Sequence, residues 1–299
     1  MTTPRPIVCS SRVLAAVLAT GTLLTTAACS SADNSASAGS ETAGAAVERA
    51  LAAQTESPTS TPTSTPTSPT SSPTSSPTSS PASELTETGA RNALITEADL
   101  EGDWTQAENP QEWRDSLLVG QVDVAAFLEG RSDASDCQQL VDSLYDETLL
   151  GRPSGASALN GFQEGDSRLL YQVAAYQKSD LDESMKWLRS LPDTCDQFTV
   201  SGGDSGDRTV QVVELPLPEE GDARQGLTVT MKGDSGGDPV TLTLDVAVVQ
   251  IGANAITVTN GGLAGADHDT TSTAVEQGTP RLQAVLAGRT PTPTPSGVE

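Results

Sequence analysis

The sequence predicts an α+β fold, an antiparallel twisted sheet of about five or six strands with helices on one side. Three observations lead to this prediction. Apolar and polar residues alternate strictly through much of the C-terminal half, a pattern typical of strands with one buried and one solvated face. Three segments show helical periodicity, and Gly/Asp-rich segments separate the strand candidates as hairpin loops would. A signal peptide and a disordered Ser/Thr/Pro stalk are predicted to precede this unit.

Residues 1–28 have the features of a secretory signal peptide. Arg5 and Arg12 lie near the start, and the first acidic residue is Asp33. The apolar stretch that follows Arg12 is shorter than the roughly 20 residues that a membrane-spanning helix needs. We therefore expect this segment to direct export.

Cys29 follows the small residues Thr25, Thr26, Ala27 and Ala28. This arrangement resembles the lipobox of bacterial lipoproteins, in which the cysteine receives diacylglycerol and becomes the new N-terminus, although Thr26 departs from the commoner leucine. The resemblance implies lipidation of Cys29 and an anchor in the outer leaflet of the cytoplasmic membrane. The alternative is ordinary cleavage after Ala28, in which case Cys29 has no role.

Residues 29–83 are predicted to be a disordered linker. Every residue from 57 to 81 is Ser, Thr or Pro, a composition that cannot bury a core and favours an extended, solvated chain. Residues 289–299 form a second Thr/Pro-rich segment and are predicted to be a disordered tail. The globular domain is therefore expected over residues 84–288, with the linker as a spacer from the membrane.

Within residues 84–288, periodicity predicts the elements in chain order. A helix is expected over 136–149, a strand over 168–178 and a helix over 181–191, which Ser179 begins and Pro192 ends. Alternating segments then predict strands near residues 210–212, 227–231, 240–248 and 256–258. Segments 202–207 and 233–238 are expected to be hairpin loops. A last helix is expected over 271–286, with a kink or a new start at Pro280.

Cys137 and Cys195 are the two cysteines of the expected globular domain, residues 84–288. A pair of cysteines in an oxidising compartment most simply forms a disulfide, which here would close a loop of about 59 residues. The alternative is a catalytic thiol, which requires a nearby base, and the sequence has one histidine, His268. The sequence therefore favours a Cys137–Cys195 disulfide.

Composition excludes several classes of function. The chain has 16 Lys+Arg and 40 Asp+Glu, a net charge of −24, which repels nucleic acids and anionic membrane surfaces. His268 lies between two aspartates in a Gly-rich segment and is expected to face solvent. Segments 204–207 and 234–238 lack the spacing of a calcium loop, and Glu214 with Glu219 and Glu220 is a chance grouping of acids. We expect no catalytic residues, no metal site and no cofactor.

Several short sequence segments in the domain resemble those of a known family. These are 95–100 leading to Trp104, Cys137 followed by Leu140 and Val141, the strand 170–176, Trp187, and Cys195 followed by a Val-rich sheet and a final helix. The succession is similar to the PknH-like extracellular sensor domain, found outside some mycobacterial receptor kinases and on free lipoproteins of actinobacteria. That family domain is associated with two disulfides, whereas this sequence has cysteines for one.

The resemblance implies a non-catalytic ligand-binding or sensor module, whose signal another protein would read. The ligand is unknown, whether a small molecule or an envelope protein, and so are the residues that bind it. The alternative is a structural or accessory lipoprotein that binds another cell-envelope protein, and a carboxylate-dependent hydrolase ranks last. A deep cleft with convergent polar groups would favour the first function, and a flat apolar patch the second.

Overall fold

The computed structural model describes residues 84–203 and 206–292. Residues 1–83, 204–205 and 293–299 are not described. The predictions of a signal peptide, of lipidation at Cys29, of a disordered linker and of a tail beyond residue 292 therefore lie outside the described residues.

The described part of the chain is a sheet with helices at its start, middle and end. The helices are α1 (Glu87–Asn92), α2 (Val124–Leu128), α3 (Ser135–Ser143), α4 (Lys178–Thr194) and α5 (His268–Leu286). The first strands are β1 (Thr105–Gln106), β2 (Leu118–Val119), β3 (Val122–Asp123), β4 (Ser157–Glu164) and β5 (Ser167–Ala175). The later strands are β6 (Gln197–Val200), β7 (Arg208–Glu214), β8 (Ala223–Ser235), β9 (Asp238–Ile251) and β10 (Asn254–Gly262).

Eight strands form one antiparallel sheet in the order β1-β4-β5-β10-β9-β8-β7-β6, and β2 pairs with β3 as a separate hairpin. Consecutive strands are neighbours from β6 to β10, and β5 joins the far side of β10. The β8–β9 turn is Gly236-Gly237, and both glycines have positive φ, as a two-residue hairpin turn requires. The loop predicted at 202–207 falls between the paired strands β6 and β7, whereas the loop predicted at 233–238 is too long, because residues 233–235 and 238 are paired strand residues.

One face of the sheet packs against α2, α3 and α4. Helix α4 places Leu181, Met185, Leu188 and Leu191 on this core, and the strands supply alternating aliphatic side chains such as Val229. This alternation is the signal that the sequence shows, and it explains why β7 and β8 could be predicted. The disulfide between Cys137 and Cys195 lies in the same core and joins α3 to the residue after α4.

The opposite face packs against α5 and α1, over β4, β5, β9 and β10. Ala274, Val275 and Leu282 of α5 are buried there against strand residues such as Val173 and Ile256. Gly278 brings α5 close to the sheet, because an added Cβ would overlap the Tyr171 hydroxyl oxygen and lie 2.8 Å from ring carbon Cζ. Where α5 does not cover it, this face of the sheet is polar, and Val213 of β7 is exposed there.

The structure confirms the α+β class and the antiparallel sheet, and corrects two details. The sheet has eight strands instead of five or six, because the short strands β1 and β6 and the strand β4 carry little alternation. The helices lie on both faces of the sheet and not on one side. Residues 246–249 of β9, Val-Ala-Val-Val, are buried, and four consecutive apolar residues require cover on both faces.

The helix boundaries also differ from the predictions. Helix α3 ends at Ser143, and Tyr145 has a φ of 54° while its hydroxyl donates to the Gly261 carbonyl at 2.9 Å. Helix α4 begins one turn early, with Gln177 as its N-cap, and includes Pro192. Helix α5 continues through Pro280, because buried residues before and after the proline hold both halves on the sheet.

Candidate functional site

Two clefts meet where β5 leads into α4, and they share Tyr176 and Gln177. One has a volume of about 410 Å³ and the other about 520 Å³, which places both among the sizes typical of small-molecule sites. The smaller cleft, called here the α4 cleft, is lined by Asp136, Gln139, Leu150, Gly151, Arg152, Tyr176, Gln177, Asp180, Glu183, Ser184 and Trp187. The larger cleft lies towards the β9–β10 turn at Gly252-Ala253.

Backbone and side-chain hydrogen bonds fix the walls of the α4 cleft. The Tyr176 N–H donates to the Ala253 carbonyl at 2.9 Å, which ties the end of β5 to the β9–β10 turn. The Ser184 hydroxyl lies 3.2 Å from the Leu150 carbonyl and 3.0 Å from the Asp180 carbonyl, so α4 contacts the loop before β4. The Cys137–Cys195 disulfide holds α3, which supplies the third wall, against the end of α4.

Two hydrogen-bond donors at the α4 cleft have no partner. The Tyr176 side chain is 5% exposed, and its hydroxyl makes no hydrogen bond within the described residues. The Trp187 indole Nε1 is likewise buried without a partner in that part of the chain. Both atoms are closed to solvent, so a ligand in the cleft meets the side chains of Tyr176 and Trp187 and not these two donor atoms.

Electrostatics keep the Tyr176 hydroxyl in its neutral form. Burial raises the pKa of Tyr176, and the nearby Glu147 carboxylate raises it further. The phenol therefore remains an O–H group at neutral pH. Burial also raises the pKa of Glu147, followed by the effect of Asp146.

The rim of the α4 cleft carries charges of both signs. Arg152 is the cation there, and Asp136, Asp180 and Glu183 are the carboxylates. The Asp180 carboxylate accepts a hydrogen bond from the Ser179 hydroxyl at 3.1 Å. The cleft therefore offers a guanidinium donor, carboxylate acceptors and the half-buried Trp187 ring.

A third cleft, beside α3, has a volume of about 480 Å³. One of its lining side chains, Gln138, donates to the Gly130 carbonyl at 3.1 Å and to the Asp142 carboxylate at 2.8 Å. Its amide oxygen also accepts from the Ser132 N–H. This bonding pattern supports the loop around residue 131, and we do not assign a ligand there.

The disulfide predicted from the sequence is confirmed, whereas the expectation for His268 is only half right. Cys137 and Cys195 are bonded, with their Cα atoms 5.6 Å apart. His268 is the first residue of α5 and its side chain is 57% exposed, but Nδ1 pairs with the buried Asp245 carboxylate. Asp245 also accepts from the Thr228 hydroxyl at 2.8 Å and from the Thr271 hydroxyl at 3.2 Å.

The other acidic groupings lie in structural positions. Asp234 and Asp238 flank the β8–β9 turn, and Glu219 forms an ion pair with Arg224 at 3.1 Å. Across the described ranges, no three or more His, Cys, Asp or Glu side chains are grouped so that they could hold a metal ion. The same ranges contain no helix of the length and hydropathy that a membrane crossing requires.

The α4 cleft could not be found from the sequence, because its walls come from segments far apart in the chain. In the sequence, Tyr176 and Trp187 are only apolar positions in a predicted strand and a predicted helix. The one available signal is composition, since all nine aromatic residues lie between Trp104 and Phe198. Aromatic residues concentrate where a core or a binding surface needs large apolar area.

No protein-family model matches this sequence, and no curated protein matches it. Among solved structures, the chain is similar to the extracellular domain of PknH from Mycobacterium tuberculosis. The sequence identity is 10%, the TM-score is 0.36, and the match covers 70% of this chain and 100% of that domain. The solved structure is of the same kind of domain that the sequence resembles. A likeness at this identity and TM-score is not evidence of a shared function.

Proposed function

We propose that this protein is an exported lipoprotein whose folded domain binds a small ligand in the α4 cleft without catalysing a reaction. The observation that carries the proposal is the α4 cleft itself, which has a volume of about 410 Å³ and brings together the half-buried Trp187 ring, Arg152 and three carboxylates.

Export is supported by the Cys137–Cys195 disulfide, because disulfides persist in oxidising compartments. Lipidation of Cys29 would place the domain on the outer leaflet of the cytoplasmic membrane, as a tethered binding or sensor module. A non-catalytic role is consistent with the His268–Asp245 pair, in which the imidazole helps to satisfy a buried carboxylate beside the first turn of α5.

The alternative of a scaffolding lipoprotein needs an exposed apolar surface for its protein partner. Among the described residues, the exposed large apolar side chains are Leu118 and Val213, on a short hairpin and on a strand of the main sheet. Two single side chains on separate elements do not make a contiguous patch. The α4 cleft therefore favours a ligand-binding role.

The test is ligand retention from envelope extract. The full chain, solubilised in detergent, is incubated with the low-molecular-weight fraction of the extract and filtered, and the retained molecules are identified by mass spectrometry. We compare the wild type with Arg152→Gln, and use Arg91→Gln as the matched control, because Arg91 is an exposed arginine that borders none of the clefts described above.

We expect one retained species with the wild type and with Arg91→Gln, and about tenfold weaker retention with Arg152→Gln, the equivalent of one lost charge-assisted hydrogen bond. Equal retention by all three proteins would place the ligand elsewhere. Chemical conversion of the retained species over time would contradict the non-catalytic role.

A further inference from the structure

The accessible charges of the α4 cleft indicate the class of ligand, on the basis that the proposed function is correct. Arg152, on the loop before β4, lines the cleft together with Asp136 of α3 and with Asp180 and Glu183 of α4. All four side chains are exposed, so a ligand in the cleft can contact them. No ion pair among the described residues includes any of the four. The cleft therefore holds charges of both signs that do not neutralise one another.

Two of the carboxylates also have a structural role. Asp136 and Asp180 lie in the first turns of α3 and α4, where the helix dipole favours a negative charge. Glu183 lies one turn further along α4, and Arg152 lies outside the helices. Neither Glu183 nor Arg152 has a hydrogen-bond partner for its side chain within the described part of the chain. The packing of the domain therefore does not explain why these two opposite charges line one cleft.

One face of α4 places an aromatic ring beside the carboxylates. Asp180, Glu183 and Trp187 follow one another at intervals of three and four residues, a spacing that puts side chains on one face of a helix. The Trp187 ring is half-buried and lines the cleft. An ammonium group held near a carboxylate and an indole ring gains from an ion pair and from a cation–π interaction. This side of the cleft therefore fits a cationic group.

The Arg152 guanidinium adds a second requirement. It has five N–H donors and no acceptor, and it stays charged, so the group that pairs with it best is an anion such as a carboxylate. The cleft has one such cation and three carboxylates. Residues 84–288 contain 12 Lys+Arg and 35 Asp+Glu, so the whole domain attracts cations and repels ligands with a net negative charge. A ligand with one carboxylate and more than one cationic group meets both requirements.

We infer that the α4 cleft binds a small zwitterion with a net positive charge, the class to which the basic amino acids belong. The carboxylate of the ligand pairs with Arg152, and its cationic groups pair with Asp180 and Glu183 beside the Trp187 ring. The cleft volume of about 410 Å³ lies at the lower end of the range for small-molecule sites, which suits a ligand of this size. This assigns the ligand class and goes beyond the sensor-type role proposed above.

The test removes one charged group of the ligand at a time. The full chain in detergent is titrated by calorimetry with lysine, arginine and ornithine, and with the corresponding amines cadaverine, agmatine and putrescine, which lack the carboxylate. Norleucine, which lacks the side-chain ammonium of lysine, and glutamate, which has a net negative charge, complete the set. The proteins are the wild type, Arg152→Gln, Glu183→Gln and the control Arg91→Gln, which changes an exposed arginine outside the α4 cleft.

We expect at least one basic amino acid to saturate the wild type at millimolar concentration or below. Its amine, norleucine and glutamate should bind at least about tenfold more weakly. Arg152→Gln should weaken the binding of that amino acid about tenfold but not that of its amine, because only the amino acid has a group that pairs with Arg152. Glu183→Gln should weaken the binding of both, and Arg91→Gln should weaken neither.

Three results would overturn the inference: no basic amino acid saturates the protein, the amine or glutamate binds as tightly as the amino acid, or Arg152→Gln weakens the amino acid and its amine equally. These failures are separable from failure of the proposed function. An extract ligand of another class whose retention depends on Arg152 would remove this inference and leave the cleft assignment intact. Extract binding that is independent of Arg152 would remove both.

Discussion

Tyr171 and Tyr176 lie five residues apart in one strand segment, and both have a buried hydroxyl without a partner. Their surroundings differ. Tyr171 lies beneath α5, where Gly278 is in close contact with the phenol oxygen. Tyr176 lies at the end of β5, where two clefts meet. Both hydroxyl oxygens are closed to solvent, but Tyr171 is enclosed by helix packing, whereas Tyr176 as a residue forms part of the wall of two clefts.

The comparison teaches that an unpartnered polar group does not by itself mark a binding site. Below α5, the Thr279 hydroxyl, the Trp104 indole nitrogen and the Tyr171 hydroxyl are all buried without partners. The buried Asp99 carboxylate and Arg281 form an ion pair of 3.2 Å in the same layer. Tyr171 lines none of the clefts described above, so we attribute its unbonded hydroxyl to the close packing of α5 on the sheet. Tyr176 contributes its side chain to the wall of a cleft, although its hydroxyl is as closed to solvent as that of Tyr171.

The largest expected effect concerns the disulfide, which supports only the Tyr176 region. Replacing Cys137 and Cys195 together by Ala should lower the free energy of unfolding by about 4 kcal/mol, because the loop they close is long. It should also weaken ligand binding, since α3 and α4 are two walls of the α4 cleft. Denaturant unfolding and calorimetry measure the two effects. A loss below about 1 kcal/mol would show that the bond constrains little.

The second effect tests the enclosed region. Gly278→Ala should lower the free energy of unfolding by about 3 kcal/mol, because the new methyl group overlaps the Tyr171 hydroxyl. The double variant Gly278→Ala with Tyr171→Phe should recover part of this loss, and neither variant should change ligand affinity. Full stability of Gly278→Ala would show that α5 can move away from the sheet without cost.

A smaller effect is expected at His268, which lies away from both tyrosines. His268→Ala should lower the free energy of unfolding by about 1–2 kcal/mol, because the buried Asp245 carboxylate loses one of its donors. Ligand affinity should not change. Thermal unfolding and calorimetry on the same preparation measure both. A loss of binding in a stable variant would give His268 a direct functional role.

The smallest effect concerns Glu147, whose carboxylate helps to raise the pKa of Tyr176. Its pKa is raised by burial, so its contribution to stability is present at low pH and is lost as pH rises through the folded pKa, above the ordinary value of 4.5. Glu147→Gln should remove this pH dependence and raise stability at neutral pH by no more than about 0.5 kcal/mol, since the group is largely solvated. Urea unfolding from pH 4 to pH 7, compared with wild type, measures it. A stability loss at neutral pH would contradict this account.

The sequence predicted the parts of the fold that depend on local pattern. Alternation located β5 and the β7–β10 strands, and cysteine pairing identified the disulfide. The second helical layer was missed, although the four apolar residues 246–249 in β9 carried a signal for it. Helix α5 also passes through Pro280, where burial of its other residues outweighs one lost backbone hydrogen bond.

The candidate site could not be predicted, because its walls come from segments far apart in the chain. Neither the free hydroxyl of Tyr176 nor the free indole nitrogen of Trp187 can be inferred before the neighbouring atoms are placed. Tyr171 has the same residue type and a similar setting in the sequence, yet it has a different role. Local pattern predicts burial, and tertiary structure decides which buried side chain borders a cleft.

The most direct test of the central claim follows the indole N–H groups of the three tryptophans by ¹⁵N nuclear magnetic resonance during addition of the ligand. Trp104 and Trp187 both have an unpartnered indole nitrogen, but only Trp187 lines the α4 cleft. We predict that the Trp187 resonance, assigned through Trp187→Phe, shifts because a ligand that packs on this half-buried ring changes its surroundings, while the Trp104 resonance stays in place. An unchanged Trp187 resonance at saturating ligand would contradict the assignment of the α4 cleft as the binding site.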